Sequence, residues 1–336
     1  MSNFTPPSTY KAYAFTEKGG SLKQLTFDWK DPQLVPTHRS PVAYSDEVVK
    51  HQSMPQVKYP LVPGHEIIGD VVAIPSTEQH WKLGQRVGGG WHGGHCGVCN
   101  RCRVGDFITC DKEDINGIAR HGGYAEFVTL RTEAVVGIPG DMDPAEVAPL
   151  LCAGVTTFIS LRNMNCKPPD IVAIQGIGGL GHLGVQFAKA MGYRTIALSS
   201  SQAKRDLALS LGAHFYIAGS PEEQAAALQE FGGAKVIMTT APDSQSVQTL
   251  ISGLGIEGEL LVLGLAGQIS FDSVSMIIKR HSVRGWPSGI PTDIEACVLF
   301  AKTHGIKTMV EIFSLDQANE AYERCGSAQF RAVIVP

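Results

Sequence analysis

Charge is scarce in this 336-residue sequence: Asp, Glu, Lys and Arg make up 18%, and the net charge is −4. Nowhere do lysines and arginines gather into a stripe, which removes the electrostatic reason to expect nucleic acid or an anionic membrane as partner. No uncharged apolar run reaches the roughly 18 residues that a membrane-spanning helix needs. The segment from Met1 to Tyr10 has neither a basic stretch nor an apolar run behind it, so no secretory signal is expected. These absences predict a soluble, cytoplasmic chain. Internal repeats and low-complexity tracts are missing too. A hydrophobic share of 43% and 37 glycines spread along the chain exclude disorder and fit a globular α/β enzyme with many tight turns. At about twice the usual single-domain length, two domains are expected.

Outside one segment cysteine is thinly spread, with Cys152, Cys166, Cys297 and Cys325 far apart. The other four, Cys96, Cys99, Cys102 and Cys110, follow the spacing Cys-x-x-Cys-x-x-Cys-x7-Cys in a Gly-rich stretch, residues 90–112. In a reducing compartment such a cluster reads as metal ligands rather than disulfides. Four thiolates close a tetrahedral zinc shell at Zn–S distances of roughly 2.3 Å and leave no position open, so this is a structural zinc site that contributes loop order, not chemistry. An iron–sulfur loop is the weaker alternative, because no Cys-Pro ending or further cysteine pattern accompanies the four.

From Ile171 onward, strand-like runs alternate with helical patterns: Ile171 to Gln175, Thr195 to Leu198, Phe215 to Ile217, Val236 to Thr239, Leu260 to Leu263 and Ser282 to Arg284. That alternation predicts a doubly wound parallel sheet over residues 151–289. Residues 1–150 read as a β-rich domain of short strands, among them Glu66 to Ala73 and Tyr124 to Leu130. Residues 290–336 are left over once six strands are counted, with helical runs at Asp293 to His304 and Leu315 to Cys325 and a last strand at Arg331 to Val335. The fold class is therefore α/β.

The first strand of the sheet runs into Gly176-Ile177-Gly178-Gly179-Leu180-Gly181 and then into a helix whose Leu180, Leu183, Phe187 and Met191 share one face before Gly192 stops it. Gly176 permits the tight turn, Gly178 lets the backbone approach a pyrophosphate at the helix N-terminus, and Gly181 allows close helix–strand packing. In this context the glycines predict a dinucleotide site. An NAD site would carry a carboxylate about 20 residues further on. Here the second strand ends in Ser199, Ser200 and Ser201, with Lys204 and Arg205 following, so hydroxyls and cations stand where an acid would repel a 2′-phosphate. NADP(H) is favoured over NAD(H). The plain alternative is that Lys204 and Arg205 belong to a solvated helix face.

Gly64-His65-Glu66 with Ile67-Ile68-Gly69, the four zinc cysteines, Gly122-Gly123-Tyr124-Ala125-Glu126, Cys152-Ala153-Gly154-Val155-Thr156-Thr157 and the glycine loop stand in one order along the chain. In that order and spacing the sequence resembles the medium-chain zinc-containing alcohol dehydrogenases. The serines after the second strand resemble the cinnamyl-alcohol-dehydrogenase branch, whose members prefer NADPH and act on primary alcohols and aldehydes. The resemblance implies a GroES-like catalytic domain to which the C-terminal segment returns, an active site between the domains, and a homodimer. It further implies a catalytic zinc held by His65 and Cys152, with Glu66 as an occasional ligand. Ser45 would relay the alcohol proton, and Asp46 would orient the zinc site from behind its ligands. Trp91, Phe158 and Trp286 are candidates for the substrate pocket, though each fits a core position equally.

One departure matters. The family expects Cys-His-Ser-Asp where this sequence reads Ala43-Tyr44-Ser45-Asp46, so the first thiolate ligand is gone. Leu34 to Val42, with two prolines and no period-two alternation, is short of the usual strand. Three readings follow. His65, Cys152 and Glu66 still hold zinc; or the zinc is lost and the cleft reduces an activated C=C or C=O bond, with Tyr44 or Ser45 as proton donor; or residues 34 to 44 are scrambled and the chain is impaired. A nucleotide-binding protein without catalysis is the rival from another functional class.

Overall fold

In a computed structural model, which describes residues 5–29, 34–36, 40–325 and 330–336, the chain divides into two compact units. One comprises residues 1–152, 288–302 and 307–336, and the other residues 153–287 with 303–306.

The second unit is a six-stranded parallel sheet. Its strands are β1 (Ile171–Gln175), β2 (Arg194–Ser199), β3 (Phe215–Ala218), β4 (Ala234–Thr239), β5 (Leu254–Val262) and β6 (Ser282–Gly285), in the order β3-β2-β1-β4-β5-β6. The reversal of strand order beside β1 is the topology that leaves a dinucleotide crevice at the C-terminal strand ends. Central strands are apolar on both faces, since helices cover both. Accordingly Val172, Ile174, Val236 and Met238 pack into one buried cluster, and Ala173, Ile196, Ile237 and Leu260 into another. Helix Gly181–Ala190 lays its buried Val185 and Ala188 on the sheet, its Phe187 ring lies 5.3 Å from that of Phe158, and Met191 caps it before Gly192 turns the chain at φ +88°. The largest difference from the sequence reading is β5, which begins six residues before Leu260. Gly255, Glu257 (φ +56°) and Gly258 break any apolar pattern there, and the pairing with β4 shifts register at that point.

The first unit is built from small sheets. A hairpin pairs Thr9–Phe15 with Leu22–Asp28, and a three-stranded sheet joins Val135–Gly137, Arg86–Gly89 and Ile67–Asp70. The expected strands Glu66 to Ala73 and Tyr124 to Leu130 shrink to Ile67–Asp70 and Phe127–Thr129. Strand Arg331–Val335 runs parallel to Val310–Ser314 and antiparallel to Ser40–Pro41, so the end of the chain is a buried strand of this unit. Helix Pro291–His304 and, after a turn at Leu315–Gln317, helix Ala318–Cys325 precede it. In the stretch that departs from the family pattern, Leu34–Pro36 pairs with Phe127–Thr129, and residues 37–39 lie outside the described residues. Among the described residues no single helix is long and apolar enough to cross a membrane.

Candidate active site

His65 sits where a loop enters strand Ile67–Asp70, and glycine at 64 is what lets it sit there. Gly64 has φ +95°, and a Cβ would come within 2.6 Å of the Tyr124 ring and 2.7 Å of Ser40 Oγ. The next two side chains are buried, His65 at 1% and Glu66 at 0% exposure. Cys152 occupies the break between the turn Ala148–Leu151 and helix Ala153–Arg162, with φ −131° and ψ −71°. That non-helical backbone turns its Sγ to within 3.2 Å of His65 Nε2. Ser45 Oγ lies 3.4 Å from the same nitrogen, placed by the one-turn helix Tyr44–Asp46. Tyr44, the other candidate proton donor, has a side chain outside the described residues.

On the far side of the ring, Asp46 Oδ1 stands 3.6 Å from His65 Nδ1, an ion-pair distance rather than a hydrogen bond. Asp46 Oδ2 accepts hydrogen bonds from the Ala43 backbone amide (3.0 Å) and the Tyr124 hydroxyl (2.8 Å). Burial pulls the His65 pKa down, and the Cys152 sulfur and the Asp46 carboxylate outweigh it, so the imidazole lies well above its ordinary value. The half-buried Trp91 meets the His65 ring edge-on, centroids 5.1 Å apart. Glu66 Oε1 pairs with Arg331 Nη2 at 3.2 Å, both side chains buried.

One nitrogen of His65, the Cys152 sulfur and a Glu66 oxygen lie within 4.8 Å of one another. Nitrogen, sulfur and oxygen donors at that spacing fit zinc. Ala43, where the resemblance expects a thiolate, is buried and brings no ligand atom, so among the described residues the third donor beside His65 and Cys152 is Glu66, a carboxylate that Arg331 already partly neutralises.

The second metal-competent group is the predicted one. The sulfurs of Cys96, Cys99, Cys102 and Cys110 fall within 4.8 Å of one another. Backbone amides point at them, Cys99 N to Cys96 (3.4 Å), Cys102 N to Cys99 (3.5 Å) and Lys112 N to Cys110 (3.3 Å). The amides of Cys102 and Asp111 draw the Cys99 thiol down to about 6, which favours the thiolate that a metal needs. The buried His92 clasps both stems of this loop, with Nδ1 3.1 Å from Glu113 Oε1 and Nε2 3.1 Å from His95 Nδ1. Sequence reading missed this clasp, as it missed Arg331 and the role of Tyr124. Only a charged residue opening the apolar run Arg331–Val335 hinted at one of them.

In the other unit, a Cβ on Gly176 (φ +86°) would meet Thr240 Oγ1 at 2.8 Å, one on Gly181 would run into the Gly176 carbonyl, and one on Gly178 would meet nothing. The first and last glycines serve packing, and the middle one leaves open space for a ligand. Ile177 is buried, and Leu180 is the N-cap of the helix that begins at Gly181. Lys204 does not extend into solvent: its Nζ donates to the Ile177 carbonyl at 2.8 Å. Ser199 ends β2 half-buried, and Ser200 is exposed. Ser201 caps the next turn by accepting from Ala203 N. Arg205 is exposed and faces Asp206 at 3.5 Å.

Fold and centre together define an oxidoreductase that works with a nicotinamide dinucleotide, and comparison with known proteins agrees. Residues 30–140 match the alcohol dehydrogenase GroES-like domain, and residues 179–317 the zinc-binding dehydrogenase family. Alcohol dehydrogenase patD of Penicillium expansum is 47% identical, with 98% of each chain covered. Aldehyde reductase AdhA of Synechocystis sp. is 34% identical over 96% of this chain and 98% of its own. The structure of a cinnamyl alcohol dehydrogenase from Sorghum bicolor (SbCAD4) superposes with a TM-score of 0.88 at 27% identity, covering 97% of both chains. The chain belongs to the medium-chain zinc-containing alcohol dehydrogenase family, in its cinnamyl-alcohol-dehydrogenase-like branch. It is an NAD(P)-dependent alcohol dehydrogenase-like oxidoreductase acting on small alcohols or aldehydes.

Proposed function

We propose that the protein is a cytoplasmic, zinc-dependent, NADP(H)-preferring alcohol dehydrogenase or aldehyde reductase for primary alcohols and aldehydes. The convergence of His65, Cys152 and Glu66 within 4.8 Å, with the Ser45 hydroxyl beside them, carries this reading. When bound, zinc supplies Lewis-acid polarisation of the substrate carbonyl, and the dinucleotide supplies or accepts the hydride. Ser45 Oγ holds the proton that the alcohol gains or loses. Asp46, held by the Tyr124 hydroxyl and the Ala43 amide, keeps His65 Nδ1 as the ring's donor end, so that Nε2 faces Cys152 as a ligand. The Trp91 ring covers one edge of His65 and limits water there.

Support for NADP(H) comes from hydroxyls rather than a carboxylate at the end of β2, and from Lys204, whose ammonium sits at the glycine loop. Arg205 lies one residue beyond and is exposed. Ser199→Asp should shift the NADPH-to-NADH ratio of kcat/KM toward NADH by at least about tenfold, because the new carboxylate would repel a 2′-phosphate and accept ribose hydroxyls. An unchanged ratio would place cofactor choice elsewhere.

A homodimer is part of the proposal. The strand β6 forms one edge of its sheet, and the neighbouring helix Ser273–Lys279 exposes Val274, Ile277 and Ile278. Light scattering should give about twice 36.0 kDa, and Ile277→Asp with Ile278→Asp should return the chain to a monomer. A monomeric wild type would reject this assembly.

A second reading has its own observation: Arg331 already neutralises Glu66 and Ala43 brings no thiolate, which leaves two undivided donors. Metal-free reduction of an activated C=C or C=O bond, with Ser45 or Tyr44 giving the proton, would then apply. It predicts NADPH oxidation with enones that a zinc chelator does not slow, whereas the zinc mechanism predicts inhibition by the chelator.

A further inference from the structure

The motif Gly122-Gly123-Tyr124 supplies neither a ligand nor a proton to the chemistry above, yet Tyr124 is fully buried beside the site. Its ring fills the space that Gly64 leaves by lacking a Cβ. Its backbone amide donates to the Pro63 carbonyl at 3.2 Å, and Gly123 N donates to the Gly64 carbonyl at 2.9 Å. The two glycine-containing motifs are thus locked together one residue before His65. The tyrosine hydroxyl then donates to Asp46 Oδ2 at 2.8 Å, while the other oxygen of the same carboxylate faces His65 Nδ1.

We propose that Tyr124 is a positioning residue: its hydroxyl aims the Asp46 carboxylate at His65 Nδ1, and so fixes the imidazole tautomer that offers Nε2 to a metal beside Cys152. Without the hydroxyl, Asp46 Oδ2 keeps the Ala43 amide as its one partner among the described residues, and the carboxylate can rotate about its last torsion. The ring then loses its preference between tautomers. Groups that hold a metal ligand from behind typically alter metal affinity by about 10- to 100-fold when removed. This inference rests on the reading of His65 as a zinc ligand.

Tyr124→Phe keeps the ring that packs on Gly64 and removes only the hydroxyl. In chelator competition on the full-length protein, the variant is expected to hold zinc at the four-cysteine site as the wild type does, and to bind the second zinc about 10- to 100-fold more weakly. In an Asp46→Asn background, removing the hydroxyl should change that affinity no further, since the phenol acts through the carboxylate. Equal second-site affinity in Tyr124→Phe and wild type, or a full additional loss when Tyr124→Phe is added to Asp46→Asn, would overturn the proposal. Histidine 15N shifts separate it from the reading beneath it. If the wild type binds a single zinc, the zinc reading fails, and the His65 ring alone decides. At a pH high enough to leave the ring neutral, a fixed Nδ1–H tautomer in the wild type that becomes mixed in Tyr124→Phe upholds the positioning role, and identical spectra there refute it.

Discussion

Replacing either His65 or Cys152 by alanine is expected to lower kcat/KM for aldehyde reduction by about a thousandfold, ~4 kcal/mol of transition-state stabilisation. Each variant should also lose one zinc per chain. The magnitude follows from the small donor set. With Ala43 in place of a thiolate, His65, Cys152 and the Arg331-paired Glu66 are the donors that converge among the described residues, so deleting His65 or Cys152 leaves a single unshared donor. A site with three thiolate or imidazole ligands would tolerate a deletion better than this one. NADPH binding should persist in both variants, because the glycine loop lies in the other unit. Turnover and zinc content unchanged in both would exclude the metal mechanism. Unchanged zinc with lost turnover would instead assign Cys152 and His65 a metal-free role.

The other large effect is expected from Cys102→Ser. Cys102 is buried, its sulfur lies 4.0 Å from that of Cys96, and its amide points at Cys99. Losing one of four thiolates should empty the structural site and lower stability by roughly 3 kcal/mol or more, read as a fall in Tm of about 6 °C or more. The His92 clasp on Glu113 and His95 would hold the stems of the loop partly closed, so local loosening rather than global unfolding is expected. A Tm and a zinc content equal to the wild type would show that the loop needs no metal.

Features carried by neighbouring residues were legible in the sequence. The four cysteines lie within one short loop, and the glycine loop lies between a strand and a helix that its own periodicity announces, so both were readable without knowledge of distant contacts. The first part of strand β5 was missed because Gly255, Glu257 and Gly258 hide it from any pattern, while Leu260 to Val262 fall where expected. The centre itself was only half readable. Its candidate ligands could be named from motifs, but Tyr124 reaches Asp46 across 78 positions, and Arg331 meets Glu66 from the far end of the chain. The second pairing depends on how strand Arg331–Val335 docks on Ser40–Pro41, and no local pattern encodes that docking. The missing thiolate at 43 was plain in the sequence. What it leaves behind, a carboxylate paired with an arginine beside His65 and Cys152, needed the fold.

The most direct test of the account is the zinc content of the folded, purified protein by elemental analysis. About two zincs per chain, one of them lost in Cys152→Ala and the other in Cys102→Ser, is the predicted result. About one per chain, unaffected by Cys152→Ala, would contradict it and assign the His65–Cys152 centre to chemistry without a metal.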